Sequence, residues 1–178
     1  MNAERDEIRS LANSLAENAN GHVDDDSSNH IGLTVNGITV ELHSTPSFMA
    51  NFVYNRRLQR WLKQNVDEQC NNMVALPNDA GFIAVPTHSF NIVYQLYHLY
   101  HHYFYEGVGL RQVVDYYFVL VKSEELIVKN SIALEREFKH LGLWKFAGAM
   151  MFVLHKVMEM QKDKMIAPMD ANRGTNAS

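Results

Sequence analysis

The sequence predicts an α+β fold: a small antiparallel sheet packed against a mostly helical C-terminal half. Three observations predict it. Residues 31–43 alternate apolar and polar side chains on either side of Asn36-Gly37, the pattern of a β-hairpin closed by a type I′ turn. Residues 90–122 carry apolar and aromatic side chains at helical spacing, interrupted once, at Gly107 and Gly109. After Ser123 the same helical spacing returns twice, separated by Gly142.

The elements follow in order. Residues 3–19 form an amphipathic helix with Ile8, Leu11, Ala12 and Leu15 on one face, ending near Gly21. Residues 20–30, rich in Asp, Ser and Asn, are read as a surface loop. Asp24 and Asp26 form a D-x-D there, but a metal-binding D-x-D sits on a strand with apolar flanks, which these residues lack. In the second hairpin strand Ile38, Val40 and Leu42 point to the core, while Thr39, Glu41 and His43 point away. That outer face is either a solvated surface or a place where a carboxylate and an imidazole meet a metal or substrate.

Residues 46–64 read as a loop and a short basic helix. Residues 73–76 and 82–85 are apolar runs joined by P-N-D-A-G, a second hairpin ending at Pro86. Thr87 or Ser89 caps the first central helix, whose stripe is Phe90, Val93, Tyr94, Leu96, Tyr97, Tyr100 and Phe104. The second central helix repeats it at Leu110, Val113, Val114, Tyr117, Phe118 and Val121, so both helices are read as mostly buried. Ser123 caps a third helix to about Leu141. A fourth runs from Trp144 to about Met160, burying Phe146, Met150, Val153, Leu154 and Val157. The tail from Lys164 is polar and is read as frayed. The predicted organisation is 1–86, an α/β region; 87–163, a helical region; and 164–178, a flexible tail.

Composition bounds the function. The chain has 178 residues, 47% hydrophobic, with a formal net charge of −4, which gives no support to bulk nucleic-acid binding. Cys70 is the single cysteine, so no internal disulfide forms and a reducing compartment fits. The N-terminal stretch is too polar for a signal peptide, and no apolar run reaches the roughly 18 residues of a membrane span. A cytoplasmic protein without a membrane partner is expected. There is no G-x-S-x-G, P-loop or dinucleotide fingerprint.

Polar residues concentrate on the two central helices. His98 and His102 stand i,i+4 and are able to share one ion, yet no H-E-x-x-H accompanies them. Histidines hydrogen-bonded at a helix face are the plainer reading. Arg111 and Asp115 are also i,i+4. They either pair simply with each other, or Asp115 holds Arg111 toward an anion, with His101 nearby.

V-E-L-H-x-x-P, then V-P-T-x-x-F-N, then H-H-x-F-x-E-G-V-G-L-R-Q-x-x-D-Y-Y-x-V-L occur in that order. This order resembles the uncharacterised nucleotidyltransferase family found mostly in Bacteroidetes, within the polymerase-β-like nucleotidyltransferase superfamily. The similar stretch covers about 30–157, and residues 107–115 are its most specific part. The ending A-P-M-D-A-N-R-G resembles the family's late P-D-x-x-R-G.

The resemblance implies a partial nucleotidyltransferase core in 1–86 and transfer of a nucleotidyl group from an NTP to an unknown acceptor with Mg²⁺. It implies that Glu41 is the third metal-binding carboxylate, a catalytic and metal residue. His43, His101, Arg111 and Asp115 are the candidate substrate-binding residues, lining one pocket with Glu41. The family's G-S turn and strand-borne D-x-D, which should precede the first helix, have no match, and Asp24 and Asp26 fall after that helix. The chain is therefore expected to be a fragment with little or no catalysis, and a possible homo-oligomer. The alternative is a non-catalytic binding or interaction module, or one half of a split enzyme.

Overall fold

Asn36 and Gly37 have φ of 51° and 76°, the left-handed pair that a type I′ turn requires. They join β2 (His30–Val35) to β3 (Ile38–His43) in antiparallel register from Val35↔Ile38 to His30↔His43. The predicted hairpin is therefore present. The computed structural model describes residues 3–26, 30–43 and 45–169. The described chain is 65% helical with a three-stranded and a two-stranded antiparallel sheet, an α+β fold. It divides into two compact units, 1–48 and 49–178.

In the first unit α1 (Ala3–Asn18) covers one face of a sheet ordered β1-β2-β3. Ala12, Ile31 and Leu33 are buried there, with Ile8, Val35 and Leu42 packed around them. Two expectations fail. Leu11 and Leu15 are exposed, and Ala12 and Ala16 are the buried positions, because small side chains let the helix lie close to the sheet. Ile38 and Val40 share the core-side alternation of Leu42 but are exposed. The helix is closed by Asn20, at φ 49°, with the Gly21 N–H donating to the Ala16 carbonyl at 2.7 Å.

The stretch read as a loop contains β1 (His22–Asp26), paired antiparallel with β2 through an irregularity between Val23 and Asp25. Its Asp-rich composition disfavours a strand, and pairing overrides it. Asp24 is satisfied within the sheet: Thr34 Oγ1 donates to its Oδ2 at 2.6 Å, and His22 Nε2 lies 2.6 Å from its Oδ1.

In the second unit, α2 (Phe52–Asn71) is much longer than the short basic helix expected. Asn51 Oδ1 caps it by accepting from the N–H groups of Val53 and Tyr54. The hairpin β4 (Met73–Ala75) and β5 (Phe82–Ala84) is as predicted. The helices α3 (His88–Tyr105), α4 (Leu110–Lys122), α5 (Glu124–His140) and α6 (Trp144–Met158) enclose the main core, centred on Tyr97, Tyr116, Phe138 and Met151. Thr87 caps α3, its Oγ1 accepting from the Phe90 N–H.

The stripe on α4 is displaced from the predicted one: Val113, Tyr116 and Leu120 are buried, and Leu110 and Phe118 are exposed. Phe104 of α3 and Val157 of α6 are exposed as well. Ser123 precedes α5 but does not cap it; its hydroxyl is buried and makes no hydrogen bond. Gly142, at φ 77°, ends α5 as expected, with the Leu143 N–H reaching the Phe138 carbonyl. The segment read as a frayed tail packs down as far as Met169. Ile166 and Ala167 are buried, and Lys164 pairs with Glu124 at 3.0 Å. Most of the late A-P-M-D-A-N-R-G motif lies outside the described residues. Among the described residues no single helix is long and apolar enough to cross a membrane.

Candidate functional site

Strand alternation puts Glu41 and His43 on the sheet face away from α1. His43 Nε2 lies 3.3 Å from Glu41 Oε2, and both side chains are exposed. The His43 ring also meets its cross-strand partner His30, with centroids 5.5 Å apart. Thr34, with Asp24 bonded to it, lies on the same face, so an acidic and imidazole-rich surface replaces the two residues that the sequence singled out. Periodicity could not reveal Asp24 there, because its strand was not recognised.

The second unit holds the remaining candidates. At the end of α3 the His102 carbonyl accepts from the N–H groups of Glu106 and Gly107. Gly107 takes φ 96°, which lets the chain turn into α4. Gly109 does not share that role: its φ is −85°, and it serves as the cap of α4, its N–H donating to Gln112 Oε1 at 2.7 Å. Arg111 then falls in the first helical turn, where its charge opposes the helix dipole. Its Nε is 4.0 Å from Asp115 Oδ2, and its side chain is 94% exposed. The i,i+4 pairing is present but loose, and the expectation of a mostly buried helix fails at Arg111.

His101 belongs to a different constellation. His98 and His102 stand one turn apart on α3, and Glu106, the residue that caps the helix, follows four residues later beside them. His98 Nε2 and His102 Nε2 lie 3.1 Å apart. His102 Nδ1 lies 2.9 Å from Glu106 Oε2, and His101 Nε2 lies 3.5 Å from Glu106 Oε1. One carboxylate thus holds two imidazoles. The Tyr97 hydroxyl is 3.4 Å from His101 Nδ1. Burial, with His102 and His101 beside it, holds His98 below the ordinary histidine pKa, against the pull of Glu106. The sequence pointed to these histidines but not to Glu106 as the residue that joins them.

Among the described residues no group of three or more His, Cys, Asp or Glu side chains is placed to hold a metal ion. Glu41 with His43 is one carboxylate beside one imidazole, fewer ligands than a two-metal centre takes from its protein.

Comparison with known proteins adds a family. Residues 3–159 match the family described as Uncharacterised nucleotidyltransferase, so the similarity reaches back through β1 and α1, beyond the motif-bearing stretch of about 30–157. No curated protein and no solved structure matches the chain. A match that runs from the first helix to the end of α6 covers most of both units, and the chain belongs to the uncharacterised nucleotidyltransferase family.

Proposed function

We propose that the reaction of this chain's lineage is metal-dependent transfer of a nucleotidyl group from an NTP to an acceptor, with Glu41 as one carboxylate of the metal set. In that reaction an acceptor hydroxyl loses its proton to solvent, its oxygen bonds to the α-phosphorus, the bond from that phosphorus to the bridging oxygen of the β-phosphate breaks, and pyrophosphate leaves. Mg²⁺, when bound, neutralises the phosphates. The family match carries this reading, and the exposed position of Glu41 beside His43 supports it. His43 would orient the Glu41 carboxylate. Arg111 would take a phosphate through a guanidinium that its loose pair with Asp115 leaves open to solvent. His101 would act from the Glu106 cluster as a substrate contact.

The 178 residues alone are proposed to turn over little or no NTP, because the described side chains supply too few metal ligands for the two-ion chemistry. Incubation with each labelled NTP and Mg²⁺ or Mn²⁺ tests this. Incorporation at background is the predicted result. Robust turnover that disappears in Glu41→Ala would overturn the proposed inactivity and leave Glu41 in its role. Turnover unaffected by Glu41→Ala would overturn the assignment of Glu41.

The second reading, a non-catalytic nucleotide-binding module, is favoured by the exposure of Arg111. It predicts NTP binding that weakens in Arg111→Ala without any incorporation.

A further inference from the structure

We infer that His98 and His102 form a binding site for a late first-row divalent cation such as Zn²⁺, separate from the Mg²⁺ chemistry proposed for Glu41. The two Nε2 atoms already face each other at 3.1 Å. With metal–nitrogen bonds of about 2.05 Å, that separation subtends roughly 100° at a shared ion, between square-planar and tetrahedral geometry. A small rotation of each ring would bring both lone pairs onto the ion.

The surroundings favour this use of the pair. Glu106 accepts from His102 Nδ1 at 2.9 Å, which leaves the His102 Nε2 lone pair available. A carboxylate on the far nitrogen of a ligating histidine fixes the ring and raises its basicity. Glu106 also reaches His101, so its own position is held from a second side. Tyr94 stacks on His98, centroids 6.3 Å apart and planes 16° apart, and the two histidine rings meet edge to face at 4.4 Å. His102 is 18% exposed, enough for an ion to enter while the ring stays packed.

On binding, His98 must carry its proton on Nδ1, so the proton now shared between the two Nε2 atoms moves to that nitrogen through solvent. Two imidazole nitrogens select borderline cations over Mg²⁺, which prefers oxygen ligands. Since no third protein ligand joins them among the described residues, solvent completes the coordination.

Calorimetric titration of the full chain with Zn²⁺, alongside Co²⁺ absorption, tests the inference. One Zn²⁺ site is expected, lost in His98→Asn and in His102→Asn and retained in His43→Asn. Glu106 is half exposed, so Glu106→Gln leaves the fold intact and should weaken binding by about tenfold or more. The Co²⁺ spectrum should show nitrogen coordination that disappears with either histidine. Absence of binding, binding unchanged in the His98 or His102 variants, or an affinity indifferent to Glu106→Gln would overturn the site.

Discussion

Gly142 lies flat against the ring of Tyr54: a Cβ added to it would stand 2.7 Å from Tyr54 Cζ. The glycine also holds φ 77° at the end of α5. Gly142→Ala therefore meets two penalties, backbone strain and steric overlap, and should destabilise the second unit by about 2–4 kcal/mol. Chemical denaturation measures it. Combining it with Tyr54→Ala should recover part of the loss; strict additivity of the two changes would show that the ring is not the obstacle.

Ser123 and Tyr116 are both buried hydroxyls with opposite situations. Tyr116 donates to the Ile92 carbonyl at 3.2 Å and ties α4 to α3, whereas the Ser123 hydroxyl has no hydrogen-bond partner. Tyr116→Phe should cost about 1 kcal/mol, and Ser123→Ala should be neutral or stabilise by up to about 1 kcal/mol. Loss of stability in Ser123→Ala would mean that its hydroxyl has a role that these contacts do not reveal.

Burial raises the Glu137 carboxyl above its ordinary value of 4.5, with His140 pulling the other way. The folded chain therefore holds this proton more tightly than the unfolded chain. The contribution is complete below the unfolded pKa and is lost as pH rises through the folded one. Glu137→Gln, which never ionises, should gain on the parent chain between about pH 4 and about pH 7. Urea unfolding at the two pH values checks this. An equal difference at both ends would contradict it.

The strongest local signals in the sequence were those where one turn chemistry has one solution. Asn36-Gly37 fixed a hairpin, Gly142 ended a helix, and Thr87 capped one. Strand β1 was illegible because His22 to Asp26 has neither alternation nor β propensity; its order comes from pairing with β2 and from the Thr34 and His22 bonds to Asp24. The buried face of α4 was misjudged because nearly every residue from Val113 to Val121 is apolar or aromatic. Only the packing chooses Tyr116 over Tyr117 or Phe118. For the candidate site, the sequence singled out Glu41, His43, His101, Arg111 and Asp115 by residue type and position. It missed that Arg111 stands in solvent and that Glu106 binds two histidines, since both depend on how α3 ends at Gly107.

Arg111 and Asp115 form an exposed pair, so Arg111→Ala should change stability by less than about 0.5 kcal/mol. A larger loss, measured by thermal unfolding, would make the pair structural and remove it from the nucleotide-binding proposal.

Glu41 is proposed to ligate the metal that serves a nucleotide. Adding Mn²⁺ with an NTP to the isotope-labelled chain and following NMR line broadening tests it most directly. Selective broadening of β3 signals around Glu41 and His43 is expected, and it should be abolished in Glu41→Ala. Broadening that avoids β3, or that persists on β3 without the Glu41 carboxylate, would contradict it.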